Sequence, residues 1–259
     1  MSLHIIVCIK SILKTSNIGG PLRTADNSEL NPFDRSALEA AIRIKDTMNG
    51  TVTALSMGPE VSAEALAEAR AMGVDEAVLV SDRALAGSDT LVTAKVLAKA
   101  VQKIGAFDFI FFGTRTADSD TGQVGPQTAS LLNLPFLGGV KKLESQDGGW
   151  EVNRIVDTWE EVWQVQAPAA VSIDPRAFIP RPVGLVGLSL VYDERKLRQW
   201  TMADLGLAAD QVGLTGSPTR VADLKKVKHD RSCRMLEGNP QEQTEALIEM
   251  LSVAGKIGS

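Results

Sequence analysis

The sequence predicts an α/β protein: a Rossmann-like parallel sheet with helices on both faces, an antiparallel addition and a C-terminal arm. Three observations predict it. Short apolar runs alternate with helical patterns over residues 1–135, which is the signature of strands joined by helical crossovers. Those runs are almost continuously apolar, as suits parallel strands covered on both faces. After Pro135 the helical patterns stop, and turn residues such as Asp147-Gly148-Gly149 join polar-apolar runs instead.

Taken in order, His4–Ile9 is the first buried strand. Asn31-Pro32-Phe33-Asp34 opens a helix. Asn31 suits the N-cap, Pro32 the first helical position, and Asp34 puts negative charge in the first turn. That helix is expected to reach about Asp46, with Leu38, Ala41 and Ile42 on one face. Thr51–Ser56 is the next strand and ends at Met57-Gly58-Pro59. Ser62–Met72 is an Ala-rich helix stopped by Gly73 as a left-handed residue. Glu76–Val80 is a strand, Asp89–Ile104 a helix followed by Gly105, and Phe107–Phe112 a strand. After the loop Gly113–Thr121, a helix is expected from about Gly122 to Leu132. Gly138–Glu144, Trp150–Asp157 and Glu161–Gln166 form the antiparallel addition, and Ala169–Ile173 returns to the core. Pro175–Leu190, rich in proline, reads as a long exposed loop. Gln211–Gly238 has little periodicity. An amphipathic helix closes the chain from about Gln241 to Ala254, with Leu247, Ile248 and Leu251 on one face. The expected organisation is a nucleotide-binding domain over 1–192, including a loop at about 175–192, and an arm over 193–259.

Composition narrows the function. The chain of 259 residues is 44% hydrophobic and 23% charged, with a net charge of −5 that is not blocked. No nucleic-acid footprint follows from that balance. With 5% aromatic residues, a stacking surface for single strands is not expected either. Two cysteines, Cys8 and Cys233, fit no metal spacing with His4 and His229. The apolar run Ile5–Ile9 is too short for a signal core or a membrane span, so a cytoplasmic protein without membrane insertion is expected. No Ser-His-Asp set, GxSxG elbow or HExxH pair is visible, so no catalytic side chain is named.

The candidate site is the loop after the fourth strand: Gly113, Thr114, Arg115, Thr116, Ala117, Asp118, Ser119, Asp120, Thr121, Gly122, Gln123 and Val124. In an open α/β sheet, ligands lie beyond the carboxyl ends of the strands near a switch point. A helix N-terminus there offers unpaired N–H groups and a positive dipole end. Two aspartates are unusual in a phosphate site; they either cap the helix or hold the loop. A plain Asp-capped turn is the competing reading. Cys8 and Lys10 at the end of the first strand, Asn31–Asp34 and Met57 are expected beside that loop. For Asn31 the alternative is a helix cap, for Cys8 and Met57 core packing, and for Lys10 and Arg115 solvated surface charge.

These residues carry a resemblance. V-C-I-K at 7–10, N-P-F-D at 31–34, A-M-G-V-D at 71–75 and G-x-x-x-x-D-x-D-T-x-Q-V-G-P at 113–126 resemble electron-transfer flavoprotein β subunits. So does Pro168-Ala-Ala-Val-Ser-Ile-Asp174, followed by Pro180-Arg181. The likeness covers nearly the whole chain in order. It implies a heterodimer with an α subunit that carries the electron-transferring FAD. It implies a second adenine nucleotide in this chain, held by Cys8, Asn31–Asp34, Met57 and Gly113–Val124. In one branch of the family that nucleotide is AMP and structural. In the bifurcating branch it is FAD, which accepts a hydride from NADH. The Asp120–Pro126 run, and Thr15 where the AMP branch has tyrosine, resemble the bifurcating branch. The stretch after Pro180-Arg181 corresponds to a recognition loop for acyl-CoA dehydrogenases or other dehydrogenases, with Leu185 as its anchor. Here the chain departs from the pattern: Val186–Val191 replaces a lysine-rich run, and the basic residues Arg195, Lys196 and Arg198 come later.

Two other classes compete. An ATP-hydrolysing or adenylating α/β enzyme would want glycine near the first strand, and Ser11–Ser16 holds none. An AMP-binding sensor without redox work would purify colourless.

Overall fold

A computed structural model describes residues 2–14, 24–193, 197–223 and 233–256. Contacts divide the chain into two compact units, Met1–Val221 and Ala222–Ser259.

The first unit begins with strand β1 (His4–Cys8) and two short strands, β2 (Ser11–Leu13) and β3 (Ser28–Leu30). Helix α1 (Pro32–Met48), β4 (Thr51–Met57), α2 (Ala63–Met72), β5 (Glu76–Val80), α3 (Thr90–Ile104), β6 (Phe109–Gly113) and α4 (Val124–Leu131) follow. Then come β7 (Phe136–Gln146), β8 (Gly149–Val156), β9 (Trp159–Val165), β10 (Ala169–Ile173), α5 (Leu185–Asp193), β11 (Leu197–Trp200) and a single turn, α6 (Gly213–Gly216).

The main sheet has nine strands in the order β11-β5-β4-β1-β6-β10-β7-β8-β9. Every pair from β11 to β7 is parallel. Strands β8 and β9 attach to β7 antiparallel, as the turn at Asp147-Gly148-Gly149 predicts. The chain builds outward from β1 to β4 and β5, then reverses to place β6 on the other side of β1. That reversal opens a crevice at the carboxyl ends of β1 and β6, where such folds bind ligands.

Alternation along the strands feeds two cores. Ile5, Val7, Phe109 and Phe111 face one side, packed with Leu38 and Ile42 of α1 and Leu66 of α2. Ile6, Cys8, Ile110 and Phe112 face the other, packed with Val96, Leu97 and Val101 of α3. Leu38 and Ile42 are fully buried; each such side chain contributes about 1.5–3 kcal/mol. Trp150 of β8 meets Phe109 edge-on, with ring centroids 4.9 Å apart, and so joins the antiparallel addition to the same core.

Two local expectations need correction. The exposed loop at Pro175–Leu190 is half wrong, because Leu185–Asp193 is helical. Gly187 does not break that helix: a Cβ there would lie 2.1 Å from the Ala71 carbonyl oxygen, so glycine allows α5 to sit against the end of α2. The helix expected from Gly122 begins at Val124, since Asp120 (φ 53°) and Gly122 (φ 63°) are both left-handed. Two pairings were not foreseen. Ser11–Leu13 pairs with Ser28–Leu30. Leu197–Trp200 pairs with β5 and completes the sheet, so residues 197–221 group with the first unit.

The second unit centres on helix α7 (Pro240–Val253). Asn239 starts the helix by capping the amides of Gln241 and Glu242, while Glu242 reaches back to the Asn239 amide at 3.0 Å. Leu247 and Ile248 are about half exposed.

Candidate nucleotide site

The loop at 113–123 lies where the topology predicts, at the carboxyl end of β6 beside that of β1. Its first residue explains its path. A Cβ on Gly113 would sit 2.3 Å from Asp34 Oδ1 and 2.8 Å from the Phe33 carbonyl carbon. Only glycine lets β6 run this close to the first turn of α1. The loop then closes on itself: the Asp120 amide donates to the Thr116 carbonyl at 2.9 Å, and the Thr116 and Ser119 hydroxyls are 2.8 Å apart.

Asn31 does not cap α1 with its side chain. Fully buried, it spans to the loop instead: Nδ2 donates to the Arg115 carbonyl at 2.9 Å and Oδ1 accepts from the Ala117 amide at 3.2 Å. Two backbone groups of an irregular segment are thus satisfied by one side chain, which would otherwise cost about 1–3 kcal/mol to bury unpaired. Pro32 is exposed and starts the helix. The Phe33 ring supports Arg115, whose guanidinium carbon lies 4.9 Å from the ring centroid.

Asp34 is buried, and its Oδ2 accepts the Lys10 amide at 2.8 Å. Burial pushes its carboxyl up to about 7, against the lowering effect of bonds from the Lys10 amide, the Asn31 side chain and the Gly113 amide. The Lys10 ammonium does not neutralise it by direct contact, being engaged with Asp118 Oδ1 at 2.8 Å. The aspartates therefore hold the loop rather than cap the helix: Asp118 grips Lys10, and Asp120 pairs with Arg115 at 3.3 Å. The Arg115–Asp120 pair is more than half exposed on both sides, so exchanging Asp120 for another anion costs little.

The start of α4 carries no side-chain cap. Gln123, the residue placed to provide one, accepts from the Thr90 hydroxyl at 3.0 Å instead. Val124 and Gly125 thus begin a helix whose first amides have no intrahelical acceptor. Ser119, Thr121 and Gly122 are exposed just ahead of it, and Thr114, Thr116 and Ala117 are half-buried. Hydroxyls, glycine backbone and an uncapped helix start fit a phosphate ester. Thr90, which sequence reasoning did not single out, is thereby tied to the start of α4; its one local signal was its position after the N-cap Asp89.

Cys8 and Met57 end their strands as expected, with side chains that follow the core-packing alternative. Cys8 is buried in the core beside Asp34, and burial first, then the neighbouring carboxylate, pushes its thiol far above the ordinary range. Its side chain is core packing. Met57 packs partly buried on the same cluster, and the Gly58 amide donates a hydrogen bond to the Val80 carbonyl at 3.0 Å. Leu185 is not part of this site; it begins α5 and is 85% exposed. Thr15, Arg195 and Lys196 lie outside the described residues. A separate cavity of about 280 Å³, lined by His4, Thr53, Asp75 and Arg198 among others, lies at the amino ends of the strands. Crossover helices present their carboxyl ends there, which disfavours an anion.

A family model described as the electron transfer flavoprotein domain matches residues 22–188. The electron transfer flavoprotein subunit beta of Thermoanaerobacterium thermosaccharolyticum is 36% identical over 256 residues, 96% of this chain and 98% of that protein. The chain belongs to the electron transfer flavoprotein β-subunit family. The caffeyl-CoA reductase-Etf complex subunit CarD of Acetobacterium woodii is similar at 37% over 226 residues, 85% of this chain and 86% of that one. The acryloyl-CoA reductase electron transfer subunit gamma of Anaerotignum propionicum is similar at 35% over 268 residues, 96% of this chain and 98% of that one. Electron transfer is the role common to this family, and the flavoprotein fold accounts for the parallel sheet and its switch point. Among the described residues, no helix is long and apolar enough to cross a membrane, and no group of His, Cys, Asp and Glu is arranged to hold a metal.

Proposed function

We propose that this chain works as one half of a heterodimer with an electron transfer flavoprotein α subunit, and that the 113–124 loop holds an adenine nucleotide. FAD is the nucleotide we assign. The observation that carries the reading is the uncapped start of α4 behind a loop tied to both neighbouring elements, by Asn31 from α1 and Lys10 from the end of β1. Amides of the first turn of α4 bind the phosphates, with the Ser119 and Thr121 hydroxyls in reach. Arg115 leaves Asp120 for the ligand at small cost, because both are solvated. Lys10 stays on the better-buried Asp118 and keeps the loop shut against β1. Asp34 and Asn31 act beneath the ligand, by fixing backbone rather than by touching it.

The choice of FAD over AMP is supported by the Asp120–Pro126 run, and by similarity to proteins named for CoA-thioester reductase complexes. Bound FAD would supply hydride acceptance from NADH and onward electron transfer; this chain supplies position. The partner at the other end of the electron path is an acyl-CoA or related dehydrogenase, met through the exposed Leu185. The arm presents Leu247, Ile248 and Leu251 to the α subunit. The setting is cytoplasmic.

Mass spectrometry of the nucleotide released from the co-purified heterodimer tests the reading. Two FAD per heterodimer are expected. One FAD and one AMP would assign the site to the structural branch, and a heterodimer without any adenylate in this chain would overturn the site itself.

A further inference from the structure

We infer that a polar stripe on α1, made of Ser36, Glu39, Arg43 and Asp46, is a positioning rail that fixes where the helix bearing Leu185 is presented. The inference rests on the proposed role of Leu185 in meeting a dehydrogenase.

These four residues recur at spacings of three and four and so share one face of α1. A polar stripe on a helix usually faces water. The first half of this one is covered: while Arg43 and Asp46 reach the surface, Ser36 and Glu39 are 1% and 2% exposed. What covers them is the segment leading to α5, laid along the helix in order. The Ser36 hydroxyl donates to the carbonyls of Pro175 at 2.8 Å and Phe178 at 2.9 Å. Arg43 lies over the Phe178 ring, 5.9 Å from its centroid. Glu39 accepts from Arg181 three times, from its backbone amide at 3.0 Å, from Nε at 2.9 Å and from Nη2 at 3.4 Å, and also from Arg43 Nε at 2.6 Å. The same Nη2 of Arg181 also reaches Asp46, at 3.2 Å.

Between this anchor and Leu185 stand only Pro182, Val183 and Gly184. A second anchor follows at once, where Gly187 lies against the Ala71 carbonyl. Leu185 and Val186, 85% and 77% exposed, are held out between the two. An apolar seam would cover α1 equally well, but it tolerates sliding. Carbonyl-specific hydrogen bonds and a forked guanidinium on one buried carboxylate set a single register. Glu39 and Arg181 are therefore positioning residues, acting on the partner through Leu185.

The test uses the purified heterodimer and the dehydrogenase with which the wild-type heterodimer exchanges electrons. In Glu39→Gln, the KM for the heterodimer is expected to rise roughly tenfold, with kcat and bound nucleotide at wild-type levels. Arg181→Lys, which keeps the charge but loses the fork, should fall between the two. An unchanged KM in folded Glu39→Gln, or nucleotide loss in step with the KM change, overturns the rail. Should Glu39→Gln fail to fold, Asp46→Asn at the solvent end of the rail is read instead; it is expected to raise KM about two- to threefold, and an unchanged KM there overturns the rail. Leu185→Ala separates this inference from its basis. KM rising in Leu185→Ala but not in the rail variants sinks the rail alone, whereas no change in Leu185→Ala removes the docking role and the rail with it.

Discussion

Helix α1 carries two buried carboxylates, less than two turns apart, that behave oppositely. Burial raises Asp34 to about 7, because its bonds come mainly from neutral donors, among them the Lys10 and Gly113 amides. Glu39 also suffers desolvation, yet bonds from Arg181 and Arg43 outweigh it and hold the group below its usual range. Burial alone therefore does not decide a carboxylate's charge; a guanidinium within hydrogen-bond reach does. Each choice suits what the residue holds. Asp34 fastens Gly113, at the start of the 113–123 loop, and Lys10 through their backbone amides. Glu39 fastens the segment before α5 through the guanidinium and backbone amide of Arg181.

The largest effect that sharpens this contrast is in pH dependence. Between about pH 4 and 7 the folded protein keeps a proton on Asp34 that the unfolded chain releases. Stability falls as pH rises through that window, by up to roughly 4 kcal/mol. Denaturant titrations of Asp34→Asn should lose this decline; an unchanged pH profile would show that Asp34 is charged throughout. Glu39 has the reverse sign. Its contribution is present above its unfolded value of 4.5 and is lost as pH falls through its lower folded value, so Glu39→Gln should flatten the acid side instead.

Next in size is Gly113→Ala. The added methyl meets Asp34 and the Phe33 backbone, and the strain of such overpacking is about 1–3 kcal/mol. Unfolding midpoints should drop and nucleotide content with them, whereas retained nucleotide would place the ligand away from this loop. Asn31→Ala should cost about 1–2 kcal/mol by orphaning the Arg115 carbonyl and the Ala117 amide. It should lower nucleotide affinity measured by titration of stripped heterodimer, and leave the dehydrogenase KM of the loaded fraction alone. Loss at both functions would mean that the two ends of α1 are not independent. The smallest effect on stability is Leu185→Ala, within about 0.5 kcal/mol for so exposed a side chain. Electron delivery should slow while flavin absorbance stays constant; equal loss of flavin would make α5 structural.

Much of the first unit was legible in the chain. Glu76–Val80 and Ala169–Ile173 appear with the expected bounds, because apolar strands between glycine and helix caps have few alternatives. The 113–123 loop was legible as a place, since it follows a buried strand and precedes a helix. Its fastening was not. Asn31 in front of Pro32 has the local chemistry of an N-cap, and only the approach of a loop 84 residues later in the chain redirects its amide. Likewise Gly187 looks like a helix breaker until α2 is seen to need the space beside Ala71.

Local order, then, follows from residues a few positions apart: periodicity, caps and turns specified most strands of the main sheet and the crossovers between them. Which buried carboxylate carries charge, which asparagine spans rather than caps, and that Leu197–Trp200 closes the sheet edge were settled only when distant segments met. Those outcomes depend on desolvation and on hydrogen-bond partners far away in the chain, and no window of neighbouring residues contains either.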